Sequence, residues 1–253
     1  MKKSVLISSL FVAAAFVSLP ALAEVKIRAG AGSSTYELGG DYIKAKSTYS
    51  PTALGITFSS DTAANGAYID LGYSGGTGHH DGWAKYGTPA EAFKRQDFAV
   101  TGGVVFLNQN NGIAGNVYVG IKTGSTTIGA NKAVIALHYA NPWSEETFDS
   151  TGVVFGGGAS FPVAGGRAGS VGVNVGLGVM TATWKDTSGY NVKSNSALGG
   201  SIGANYTFPF TRNFGVTADY KYQSYSYKFG STSNPFTVDE KFSTLMGIVY
   251  VKF

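Results

Sequence analysis

Three groups of residues have types and spacings that could do chemistry. His79-His80-Asp81, within SGGTGHHDGW, offers two imidazoles and a carboxylate. A metal ion could use all three, but adjacent residues on a regular element point in different directions, and no further ligand stands nearby. His138 is the one other histidine. The spacing therefore favours a solvated, Gly-rich loop over a metal site. Gly199-Gly200-Ser201-Ile202-Gly203 matches G-x-S-x-G, yet a nucleophilic Ser in that motif needs a sharp strand-to-helix turn. Here the motif lies inside unbroken alternation, which argues for a chance match in a chain with 36 glycines. The third group is charged: Lys26, Arg28, Asp70, Lys122, Asp219 and Lys221 stand among Gly, Ser, Thr and Asn at alternate positions. From the sequence we assign no catalytic residue, no metal ligand and no cofactor.

The elements that carry these residues read as strands. Leu198, Gly200, Ile202, Ala204, Tyr206, Phe208 and Phe210 share one face, and Gly199, Ser201, Gly203, Asn205 and Thr207 the other. After a tight turn at Thr211-Arg212-Asn213, Phe214, Val216, Ala218, Tyr220 and Tyr222 alternate with Thr217, Asp219, Lys221 and Gln223. Val171 to Val179 repeats the pattern against Gly172, Asn174, Gly176 and Gly178, and turns to the preceding strand through Val163–Gly169. Period two over such lengths predicts strands with one apolar face. Asn111-Gly112 and the region of Asn65-Gly66 supply hairpin-turn chemistry.

Polar stretches at about 33–50, 74–96, 124–150, 186–196 and 230–241 read as long loops alternating with these short turns. Within the second, Thr88-Pro89-Ala90-Glu91 is a capping box that predicts a short helix over Ala90–Gln96. Eleven candidate strands appear. Ala133–Tyr139 (AVIALHY) is flanked by polar residues on both sides, and moving it into a loop leaves ten, with eight or twelve as the alternatives.

Composition fits a barrel whose apolar residues face lipid. Charged residues make up 13% of the chain, against about 25% in a soluble domain. Lys2 and Lys3, the apolar run Val5–Leu19, Pro20 and Ala21-Leu22-Ala23 form a signal-peptide pattern cleaved after Ala23. The mature domain would then span 24–253 and carry 17 basic against 15 acidic residues, too even a balance to argue for nucleic acid. The chain has no Cys, hence no disulfide, lipidated cysteine or thiolate metal site.

The last strand, FSTLMGIVYVKF, sets Leu245, Gly247, Val249, Val251 and Phe253 on one face and Thr244, Met246, Ile248, Tyr250 and Lys252 on the other. With the signal peptide and the alternating strands, this end resembles the small outer-membrane β-barrel proteins of Gram-negative bacteria. The resemblance covers the mature chain without selecting a subfamily. It implies an all-β, antiparallel up-and-down transmembrane barrel, most simply of ten strands, in which Phe253, Val251, Val249 and Leu245 form the signal read by the outer-membrane insertion machinery. It also implies outer-membrane lipid and lipopolysaccharide as surroundings, a monomer, and export through the periplasm by a Sec-type signal.

In such a barrel Arg28, Asp70, Lys122, Asp219 and Lys221, with Lys26, would face the lumen, which side chains should fill or leave very narrow. The leading function is a non-enzymatic outer-membrane barrel presenting loops with Tyr36, Tyr42, Tyr49, Trp83, Tyr86, Trp143, Phe148 and Tyr190, with or without a narrow pore. A dedicated solute channel is the first alternative. The second is a hydrolase using the loop His and Asp, as omptin-like outer-membrane proteases do at the barrel mouth, with Asp81, Glu145, Glu146 and Asp149 as available carboxylates.

Overall fold

The computed structural model describes residues 22–40, 44–60, 65–80, 91–108, 110–129, 146–186, 191–231 and 234–253. Alternation over these stretches produces β1 (Leu22–Gly40), β2 (Lys44–Tyr49), β3 (Thr52–Ser60), β4 (Asn65–His80), β5 (Glu91–Asn108) and β6 (Ile113–Gly129). It continues through β7 (Glu146–Pro162), β8 (Ser170–Asp186), β9 (Asn191–Lys193), β10 (Ala197–Pro209), β11 (Phe214–Ser231) and β12 (Asn234–Lys252). Ladders between successive strands are antiparallel, and β1 pairs with β12 from Lys26↔Lys252 to Gly40↔Val238, closing the sheet into a ring.

Twelve segments make ten staves, because two staves are each interrupted once. β2 and β3 form one stave broken at Ser50-Pro51. Its register against β1 runs through the break unshifted, with Ser34↔Tyr49 above and Ala31↔Thr52 below. Proline has no N–H to give to a ladder, but its carbonyl still accepts from Gly32 N at 3.0 Å. β9 and β10 both pair with β8 and are separated by Ser194–Ser196, where Ser194 Oγ accepts from Ala182 N at 2.7 Å.

The register also sets the tilt. Crossing the ladders from Ile27 leads to Ile56, Leu71, Val100, Ile121 and Val153. It continues through Val179, Leu198, Ser226 and Asp239 to Gly39. The circuit therefore returns twelve residues up its starting strand, from position 27 to 39. At about 3.3 Å per residue and about 4.8 Å between strands, this stagger tilts the staves by roughly 40°.

Short turns gather at the end that holds Leu22 and Phe253. Gly112 takes φ +69° and donates its N–H to Asn108 O at 2.8 Å, a left-handed position that suits glycine. Pro162 joins Ser170 through a 3-10 turn at Ala164–Gly166. At 210–214, Phe210 stacks on Phe214 with ring centroids 5.6 Å apart. Asn65 and Gly66 belong to β4, opposite Phe106 and Val105, so they are strand and not the turn expected there; residues 61–64 before them lie outside the described residues.

The outer face carries a continuous apolar band. Val171, Val173, Val175, Leu177 and Val179 of β8 are exposed, as are Val117, Val119 and Ile121 of β6 and Leu245, Val249 and Val251 of β12. From Val171 to Val179 the band rises roughly 20 Å along the barrel axis, close to the apolar height of about 25 Å in outer-membrane barrels. No described helix is long and apolar enough to cross a membrane. The staves continue well past the band: β8 runs on to Asp186, and β11 and β12 remain paired up to Ser231↔Asn234.

That continuation corrects the sequence reading of long loops. Most of 33–50, most of 230–241 and the flanks of 74–96 and 124–150 are strand, because alternation persists there with polar residues on the outer face and apolar ones inside. Glu91–Gln96 is the start of β5, with no helix, since its backbone pairs with β4 from His80↔Glu91 onward. Ala133–Tyr139 lies outside the described residues.

Candidate functional site

The interior of the barrel has two storeys. The lower one, level with the apolar band, is polar. Arg28 on β1 reaches Asp70 on β4 at 2.5 Å, and Thr57 on β3 donates to the same carboxylate oxygen at 2.6 Å. Nearer the termini, Lys252 pairs with Glu24 at 3.2 Å and Lys26 Nζ sits 4.4 Å from the Tyr250 ring centroid. Higher up, Lys122 of β6 reaches across the lumen to Gln223 of β11, donating at 3.1 Å. A cavity of about 560 Å³ runs among these groups, bordered by Lys26, Arg28, Tyr118, Lys122, Ser201 and Lys221. A neighbouring one of about 310 Å³ shares Arg28, Lys122 and Lys221 and adds Asp97 and Asp219.

Glycines on the inner wall let large side chains lie flat. A Cβ on Gly199 would stand 2.1 Å from the Tyr225 ring, and one on Gly103 would stand 2.8 Å from the Tyr68 ring. These slots explain part of the glycine abundance: the wall is thinned where a neighbouring ring covers it.

The upper storey, beyond the band, is packed solid. Tyr36 and Leu38, Tyr49, Phe93, Ile128, Phe148, Met180, Tyr225, Tyr227, Phe229, Val238 and Phe242 form one buried cluster drawn from eight staves. Rings pack at centroid distances of 5.1 Å for Tyr36–Phe242 and for Tyr49–Phe93, and 5.3 Å for Phe148–Tyr227. Within this plug lies an ion network. Arg95 and Glu240, each with 1% of the side chain exposed, bridge at 2.8 Å. Arg95 also grips Asp97 with two nitrogens, at 2.9 and 2.7 Å, and donates to Thr126 Oγ1 at 2.5 Å. Glu240 accepts further hydrogen bonds from Tyr36 (3.3 Å) and Tyr227 (3.1 Å). Burial, reinforced by the Glu240 carboxylate, pushes both tyrosine hydroxyls above their ordinary pKa, so they stay protonated and serve as donors. The guanidinium lies over the Phe242 ring at 4.6 Å.

The charges singled out from the sequence thus border one space: Arg28, Asp70, Lys122 and Lys221 line the larger cavity and Asp219 the smaller. Leu245, Val249, Val251 and Phe253 are exposed on the outer face, and Phe253 exchanges backbone hydrogen bonds with Val25 at 2.9 and 3.2 Å across the closing seam. His79 is exposed near the upper end of β4, far from Ser201, while Asp81 and His138 lie outside the described residues. Ser201 sits in mid-strand on β10, opposite Gly176 and Gln223. Among the described residues no group of three or more His, Cys, Asp and Glu gathers in a form that could hold a metal ion.

Sequence reasoning missed Arg95, Asp97, Phe242 and Glu240. It also read Tyr36, Tyr49 and Phe148 as surface aromatics, whereas all three are buried in the plug. The signal was present: Tyr225, Tyr227 and Phe229, and Val238, Glu240 and Phe242, continue the inward parity of their strands without a break.

No family model matches the chain, and no curated protein matches it in sequence. Solved structures do match in fold. The translocator domain of the autotransporter NalP from Neisseria meningitidis aligns with a TM-score of 0.52 at 12% identity, over 98% of this chain and 94% of that one. The outer membrane protease OmpT from Escherichia coli aligns with a TM-score of 0.56 at 9% identity, over 92% and 98%. At such identities the likeness is one of architecture. Together with the closed ring and its apolar outer band, it shows that the chain has the fold of a closed antiparallel β-barrel, as these two outer-membrane proteins do.

Proposed function

We propose that the protein is a closed, non-enzymatic outer-membrane barrel whose working surface is the β-structure projecting beyond the membrane. The single observation that carries this reading is the plug: above the band the lumen is occupied by ring-to-ring packing around Arg95 and Glu240. The export route belongs to the same proposal. A Sec-type signal ending at Ala23 delivers the domain 24–253 to the periplasm, and the insertion machinery reads Phe253, Val251, Val249 and Leu245. Lys94, Lys185 and Lys228, exposed on the projecting staves, suit contact with lipopolysaccharide phosphates. We take the barrel as a monomer, whose closed sheet leaves no edge for strand pairing between copies.

The experiment is single-channel recording of the folded barrel in a planar bilayer. The wild type should be silent. Replacing Tyr36, Phe93 and Phe242 together by Ala should give discrete openings, because the three rings fill the centre of the plug. Steady openings of the wild type would instead support the solute-channel reading, which the charged lower lumen favours.

A further inference from the structure

The lower lumen holds more cationic groups than its carboxylates engage. Asp70 is taken by Arg28 and Thr57, and Glu24 by Lys252. Both oxygens of Asp97 are held by Arg95, and Lys122 makes a longer ion pair with one of them at 3.6 Å. Lys221 has no hydrogen-bonded or ion-paired partner among the described residues and borders both cavities, as Lys122 and Gln223 do. Two ammonium groups thus converge from opposite sides of the barrel on the same space beneath the plug. Lys26 lies below them on the same cavity, beside the Tyr250 ring and within reach of the opposite charges of Glu24 and Asp70 and the like charges of Arg28 and Lys252. Asp219 is the one lining carboxylate without a hydrogen bond or ion pair. The Asp219 and Asp97 carboxylates attract Lys221 while Lys122 repels it; crowding two ammonium groups out of bulk water is costly, and an anion in the cavity would offset that cost. The neighbouring wall offers hydroxyls and amides (Ser201, Tyr118 and Asn174), and an added Cβ at Gly72, bordering the smaller cavity, would meet nothing within 4 Å.

We propose that the lumen beneath the plug is a binding site for a small polyanion bearing phosphate or carboxylate oxygens, held by Lys122, Lys221 and Gln223 and entered from the end of the barrel that carries the chain termini. The direction of entry rests on the closed-barrel reading; the site itself does not.

Pyrophosphate is the probe. Titrated calorimetrically at low ionic strength into the folded full-length protein in zwitterionic micelles, it should bind saturably with one site per barrel. A charge-assisted hydrogen bond is worth enough that Lys122→Met and Lys221→Met should each weaken binding by roughly tenfold or more. Lys221→Arg should retain it, and Lys193→Met, exposed on β9 opposite Thr183, should not change it. Folding of every variant is checked by heat-modifiable gel mobility. Should a Met variant not fold, Ser201→Cys supplies a second readout. It would be the only thiol in the chain, and pyrophosphate should slow its modification by an anionic thiol reagent. Absence of saturable binding, wild-type affinity in Lys221→Met, or no protection of the thiol would each overturn the site. A conducting wild type that still binds pyrophosphate would remove the closed-barrel reading and leave the site standing. A silent barrel that does not bind would do the reverse.

Discussion

Glu240 shows how much one side chain can organise. Its carboxylate meets Arg95, Tyr36 and Tyr227, drawing together β5, β1 and β11 around β12. Each partner is buried, so removing the acceptor strands a guanidinium and two hydroxyls inside an aromatic core. Losing one member of such a pair typically costs about 3–5 kcal/mol. Glu240→Leu should therefore lower the urea midpoint of the barrel in micelles by an amount of that order, read from heat-modifiable mobility. An unchanged midpoint would mean that Arg95 is satisfied by Asp97 alone. The position of Glu240 was legible, since parity carried back from Tyr250 through Met246 and Thr244 puts it inside. Its partners were not, because Arg95 lies 145 residues away and residues that meet across a lumen share no periodicity.

At the scale of the strand, the two faces obey different solvents. β8 presents valines and a leucine outward from Val171 to Val179, and glycines and Asn174 inward. The outer face is apolar within the band and the inner one meets other side chains, so a membrane would exclude a charge from the outer face and tolerate it on the inner one. Val175, 60% exposed near the middle of the band, should accept Arg only at a cost of about 2–4 kcal/mol. We expect Val175→Arg to reduce the folded fraction at a fixed urea concentration in lipid bilayers by that amount, and Thr183→Arg, above the band on the same face, to do little. Alternation gives eleven candidates, and ten remain once Ala133–Tyr139 is moved into a loop; ten staves close the ring. What alternation alone misjudged was length: polar outer-face residues beyond the band look like loop, although the strand continues wherever its inner face still finds something to pack against.

The whole molecule is a membrane-height ring extended into a second, projecting storey. A ring of ten staves encloses little more than its own inward side chains, so whether it conducts depends on how those residues are distributed along the axis. Here small polar and charged residues lie within the band and large aromatic ones above it. That division lets a closed barrel retain space beneath its plug. The export reading adds a prediction at this scale: the intact mass of the protein recovered from outer membranes should correspond to a chain starting at Glu24. A mass that retains residues 1–23 would refute cleavage there. Leu22 opposite Ser60 begins the described ladder, Glu24 follows opposite Ser59, and Val25 bonds Phe253 across the seam, so a chain starting at Glu24 keeps every described pairing of β1 except that of Leu22.

The existence of the strands, the parity of their two faces, the turn at Asn111-Gly112 and the apolar outer band were legible in the residue order, because each follows from period-two alternation and local turn chemistry; how far the strands extend was not. Only the tertiary structure decided that Tyr36, Tyr49 and Phe148 are core, that Arg95 and Glu240 meet, and that Lys122 and Lys221 converge. Those facts depend on a stagger of twelve residues around ten tilted staves, which sets what stands at the same height across the lumen. Stagger is a property of the closed ring; no single strand carries it.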